Sequence, residues 1–107
     1  MSIVARFSPK GLTREKYDET LRQLKETGVK FPPDGLEYHL CFGSGGGLSV
    51  SEVWSSRRQM ETFHERLVPV LYDVGVEASG QAETFEVHNS VPGESMPLWS
   101  SELTEAS

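Results

Sequence analysis

Glu52 stands in the stretch GLSVSEVWSS (47–56), where alternation puts Leu48, Val50, Glu52 and Trp54 on one side of a strand. A carboxylate on an apolar strand face needs explaining, because burying it unpaired costs several kcal/mol. It must be paired, protonated, wet, or turned outward by a kink. Trp54 would give a polar cavity an aromatic wall, with Glu52 beside it as a base or an orienting acceptor. The partner comes from LEYHLCF (36–42), across a glycine-rich hairpin. If the loop centres on Gly45, Tyr38 faces Glu52 and His39 faces Ser51. A shift of one residue sets His39 opposite Glu52 and makes an acid–base dyad. The apolar pattern favours the first register, since it gathers Leu36, Leu40, Phe42, Leu48, Val50 and Trp54 on one face. Tyr38 is therefore the expected partner of Glu52, and Tyr38, His39 and Glu52 are the catalytic candidates.

The other titratable groups say less. His64 sits beside Phe63 at the margin of a helical apolar stripe, so it is either a solvated helix residue or a side chain reaching into the pocket. His88 ends the last strand, and with Trp54, His64 and Phe85 it completes the substrate-binding candidates. HERLV (64–68) lacks the second histidine of a zinc-protease helix. His39 and Cys41 share a strand face, but no spacing supplies further ligands, so no metal is expected. Haem needs only one axial histidine, which leaves it open while no cofactor is expected. GSGGG (43–47) lacks the Lys-Ser/Thr of a phosphate loop and runs into a strand rather than a helix N-terminus. Cys41 lacks the helix-terminus setting of an activated thiolate.

The elements that must position these groups follow from periodicity and turn chemistry. SIVARFS (2–8) alternates as a strand. Thr13 is a good N-cap for a helix bearing Tyr17, Leu21 and Leu24, which Gly28 closes. FPPDG (31–35) is a turn. The two strands of the hairpin follow, and Ser56 with Gln59 forms a capping box for a second helix. That helix carries Met60, Phe63, Leu67, Val70 and Leu71 and ends at Gly75, with Pro69 predicting a kink or break near residue 68. AETFEVHN (82–89) is the last strand, with Phe85 and Val87 inward.

The order β-α-β-β-α-β predicts an α+β fold: a ferredoxin-like sandwich with a four-stranded antiparallel sheet and helices on one face. Residues 1–89 make this domain. Residues 90–107 form a polar tail that either stays unfolded or docks its MPLW (96–99) on a partner subunit. Apolar residues occur on both parities of several strands, such as Val4 against Ile3 and Phe7. The second sheet face is therefore expected to be covered by another subunit.

With 107 residues the chain is one small domain. A net charge of −6 argues against nucleic acid or an anionic membrane as partner. The single cysteine excludes an internal disulfide, and neither a signal peptide nor a run long enough to cross a bilayer is present, so a cytoplasmic protein is expected.

GLEYHLCFG, GLSVSEVWSS and FHERLVPVL, taken with the element order, resemble the dimeric α/β-barrel proteins, and among them the antibiotic-biosynthesis-monooxygenase-like group. The resemblance covers residues 1 to about 89. It implies a homodimeric barrel with a small-molecule pocket between each sheet and its helices. It also implies a cofactor-independent monooxygenase-like activity on an aromatic or polyketide-like molecule, with Trp54 lining the pocket. The oxygenase set of asparagine, tryptophan and arginine is incomplete, because Arg6 is the only inward arginine candidate and Asn89 sits at a strand end. The alternative is a non-catalytic dimer that binds a small ligand.

Overall fold

The chain is described by a computed structural model covering residues 1–44, 47–78 and 82–91. Its elements are β1 (Ile3–Phe7), α1 (Arg14–Glu26), β2 (Leu36–Ser44), β3 (Gly47–Trp54), α2 (Arg57–Asp73) and β4 (Glu83–Glu86). The MPLW segment and Gly45–Gly46 fall outside the described residues.

Local chemistry starts and stops both helices as expected. The Thr13 hydroxyl accepts from the Lys16 amide at 3.2 Å and opens α1. Gly28, at φ +81°, closes it, with the Val29 amide donating to the Leu24 carbonyl at 2.9 Å. The Ser56 hydroxyl accepts from the Gln59 amide at 3.2 Å and opens α2, which ends at Gly75 in the same left-handed conformation. Pro69 does not break α2, which is assigned as one helix from Arg57 to Asp73. Leu67, Val70 and Leu71 are buried on either side of the proline, and their packing holds the turn that lacks its hydrogen bond.

The four strands form one antiparallel sheet in the order β2-β3-β1-β4, the ferredoxin-like arrangement. Its helix-facing side carries Ile3, Ala5, Val50, Glu52 and Trp54, all buried against residues such as Leu24, Phe63 and Leu71.

The expected face of β2 is corrected. Leu36 pairs with Trp54, but Tyr38 pairs with Val53, so one extra residue, Glu37, bulges out of the ladder. Hydroxyls of Ser2 and Ser55 each donate to the Glu37 carboxylate at 2.8 Å and hold it at the surface. Beyond the bulge the parity inverts. Leu36 faces the helices, Tyr38, Leu40 and Phe42 face away, and His39 and Cys41 turn inward. At the far end Ser44 pairs with Gly47, so the hairpin centres one half-step later than Gly45.

The last strand is shorter than 82–89, and Phe85 is on the other face from the one expected. It pairs with Val4 and is 52% exposed on the side away from the helices, the same face as Tyr38, Leu40 and Phe42 at 60%, 49% and 49% on the opposite edge strand. The open sheet face therefore carries four large apolar side chains on its two edge strands.

The turn before β2 depends on Gly35, whose φ is +88° and whose carbonyl accepts from the Ser55 amide at 2.8 Å. A Cβ there would lie 2.3 Å from Gln59 Oε1. Gly35→Ala should therefore lower the unfolding free energy by about 1–3 kcal/mol, from left-handed strain plus the clash. Thermal unfolding of G35A and G35A/Q59A checks this, and only part of the loss should return in the double variant.

Candidate active site

Glu52 is 1% exposed, yet it is not alone. His39, directly across the ladder, places Nδ1 3.0 Å from Glu52 Oε2. His64, from the first half of α2, places Nε2 3.0 Å from Oε1. Trp54 reaches back along its own strand and donates Nε1–H to the same Oε1 at 3.0 Å. Three donors from β2, β3 and α2 thus converge on one buried carboxylate.

Burial by itself pushes the Glu52 carboxyl upward, but hydrogen bonds from His39, His64 and Trp54 more than offset this and hold it at about 2. It is ionised at neutral pH. An ionised carboxylate only accepts, so both imidazoles present an N–H to it. In the neutral ring of His39, Nε2 is then the acceptor. Tyr17, from the first turns of α1, fills it, with its hydroxyl 2.7 Å away. Tyr17 is pushed up to about 12, by burial first and then by the charges of Cys41, Glu52 and Asp18, so it stays a protonated phenol. The chain Tyr17–His39–Glu52 is a hydroxyl, a base and an orienting carboxylate, the order found wherever an imidazole is set to remove a proton.

Aromatic rings wall the site. His64 meets the edges of Trp54 (6.0 Å, 87°) and Phe7 (5.6 Å, 78°), and Phe63 packs on Trp54 at 5.7 Å. Phe31 lies edge-on to His39 at 5.4 Å. The cavity bounded by Tyr17, Phe31, His39, Glu52 and Phe63 measures about 30 Å³, room for one or two waters. A larger depression of about 500 Å³ opens beside Arg6, Phe42, Ser49 and Glu83. It is a wide hollow of mixed charge with no buried polar group aimed into it, whereas the polar groups of the chain converge at Glu52.

Of the sequence candidates, the structure unites His39, Glu52, Trp54 and His64. Tyr38 does not pair with Glu52: the bulge at Glu37 points it away from the helices, and His39 takes its place. Phe85 and His88 are exposed and contribute nothing to this cluster, and Arg6 is exposed as well. Tyr17 and Phe31 were not among the candidates. Tyr17 could have been found as the aromatic of its helical stripe, whose buried hydroxyl needs a polar partner. Among the described residues no cluster of three or more His, Cys, Asp or Glu could hold a metal ion. Both ring nitrogens of His39 are engaged, and His64 directs Nε2 at Glu52. No helix among the described residues is long and apolar enough to cross a membrane.

The α+β fold of the chain is shared with structures already solved. The likeness is to three solved structures in particular. One, from Deinococcus radiodurans, is provisionally designated an antibiotic biosynthesis monooxygenase; it is 17% identical, with a TM-score of 0.54 over 86% of this chain and 97% of that one. Rv0793 from Mycobacterium tuberculosis is 18% identical, with a TM-score of 0.53 over 85% and 97%. SnoaB from Streptomyces nogalater, a cofactor-independent oxygenase, is 13% identical, with a TM-score of 0.50 over 86% and 96%. No family model and no curated protein matches the sequence.

Proposed function

We propose that the protein is a cofactor-independent monooxygenase-like enzyme acting, as a homodimer, on an aromatic or polyketide-like small molecule. The observation that carries this reading is the buried His39–Glu52 dyad, with His39 Nε2 as its accepting end. His39 would take the proton of a phenol or enol, and Glu52 would stabilise the imidazolium so formed. The electron-rich anion then reacts with O₂. One oxygen atom remains as a carbonyl where a CH₂ stood, and the other leaves as water with its two hydrogens, so the substrate supplies every electron. Trp54, Phe63 and His64 would exclude water from the anion. The fold shared with SnoaB supports the reaction class, and the apolar open face of the sheet supports a second copy as partner.

Oxygen consumption with an anthrone tests the reading. The wild type should consume O₂ one-to-one with the CH₂ oxidised, and His39→Gln should lower kcat/KM by about 10²–10⁴-fold. No uptake above the rate without protein would sink it. The cavity of about 30 Å³ favours a second reading, a non-catalytic dimer in which the network is structural. In that case His39→Gln changes ligand affinity at most.

A further inference from the structure

The accepting nitrogen of the dyad is occupied by the protein itself. Tyr17 Oη lies 2.7 Å from His39 Nε2, and the phenol ring lies close to parallel with the imidazole, at 6.0 Å and 22°. A hydroxyl whose proton His39 is to remove must sit within hydrogen-bond reach of that same nitrogen. The neighbouring space is about 30 Å³, against roughly 300 Å³ or more for an ordinary ligand pocket. No aromatic molecule reaches His39 while Tyr17 is in place. Phe31, 36% exposed, covers the imidazole edge-on and packs 6.1 Å from Phe63.

We propose that Tyr17 is a resident stand-in for the substrate: a phenolic or enolic ligand displaces its hydroxyl from His39 Nε2 and takes over that hydrogen bond, with Phe31 moving aside. This rests on the reading of His39 as the base, and it names what selects the substrate. Burial and nearby negative charge make Tyr17 a poor acid, pushed up to about 12. A more acidic hydroxyl binds the imidazole more strongly or yields its proton to it, whereas an aliphatic alcohol gains nothing by the exchange. No atom is lost in the step. The proton passes from ligand oxygen to Nε2, and the imidazolium sits between the phenolate and Glu52.

Para-nitrophenol reports the exchange directly, since its ionised form absorbs in the visible. Tyr17→Phe removes the competing hydroxyl and keeps the ring. It should bind para-nitrophenol at least 10-fold more tightly than the wild type, with the ionised band growing as it binds. The double variant Y17F/H39Q should lose both the gain and the band, and cyclohexanol should bind to none of them. Equal affinities of the wild type and Y17F would overturn the proposal, as would a band that survives H39Q. Should Y17F fail to fold, NMR of the wild type decides. Saturable shifts of both the Tyr17 ring and the His39 imidazole are expected, and an unmoved Tyr17 overturns the idea. The two readings fail separately. If para-nitrophenol displaces Tyr17 but anthrones consume no oxygen, the enzyme reading falls alone. If oxygen is consumed while Y17F leaves both KM and para-nitrophenol binding unchanged, the stand-in falls alone.

Discussion

Glu52→Gln should destabilise the protein by at least about 3 kcal/mol at pH 7, and about 3 kcal/mol of that difference should disappear as the pH falls toward 2. The carboxyl is held at about 2 in the folded chain, against 4.5 for the free side chain. Its contribution is therefore fully present above about pH 4.5 and is lost as pH falls through the folded value. A tenfold gain in acidity on folding is worth about 1.4 kcal/mol, which sets the magnitude, and burial to 1% exposure leaves little solvent screening. The amide also turns an NH₂ toward one of three N–H donors, a penalty that does not depend on pH. Urea unfolding of both proteins between pH 7 and pH 2 is the measurement. Glu19, Asp34 and Glu37 are also lowered, by hydrogen bonds from Arg22 and Gln23, from Lys30, and from Ser55 and Ser2. They are exposed and common to both proteins, so they cancel in the difference. Parallel curves for the two proteins would show that Glu52 contributes nothing through its charge.

Leu40→Arg should turn a dimer into a monomer. Tyr38, Leu40, Phe42 and Phe85 put four large apolar side chains on one open sheet face, a patch of the kind that marks an interface. The parity inversion at Glu37 is what places the first three there. A second copy laid face to face would bury them, and a guanidinium in the middle of that contact would be desolvated without a partner. The dissociation constant should rise at least 30-fold, as for a residue worth about 2 kcal/mol in an interface. Analytical ultracentrifugation reads it out: about twice 11.9 kDa for the wild type and the single mass for L40R at the same concentration. A wild type that sediments as a monomer at roughly 100 µM, far above the dissociation constant of a stable dimer, would remove the homodimer from the proposal.

Much of this was legible in the residues. Thr13, Gly28, Ser56 and Gly75 punctuate the helices through local hydrogen bonds, so the element order could be seen without any tertiary knowledge. Glu52 was conspicuous because a carboxylate among Leu48, Val50 and Trp54 violates the pattern of its strand. What could not be read was the phase of β2. Strict alternation assigns Tyr38 to the face of Leu36, and the bulge at Glu37, whose carboxylate accepts from Ser2 and Ser55, reverses it. Ser2 is distant in sequence, so no local signal announces the bulge. Tyr17 was hidden for a related reason. It fits an apolar helical stripe with Leu21 and Leu24, and its need for a partner is met by an imidazole on a strand 22 residues away. Of the kink or break expected at Pro69, the break does not occur, because the local cost is real while the packing that outweighs it is not local.

The bulge at Glu37 also bears on how such a protein could arise. Glu37 takes no place in the ladder, so a β2 without it would run from Leu36 straight to Tyr38 and send every later side chain to the side it occupies now. A surplus codon in a regular strand turns over everything beyond it, and taken up as a bulge it turns over nothing. His39 and Cys41 stay inside together, and Tyr38, Leu40 and Phe42 stay outside together. A change that forced Glu37 into the ladder would expose the relay and bury the apolar rings in one event, which ties the inheritance of the site to that of the open face.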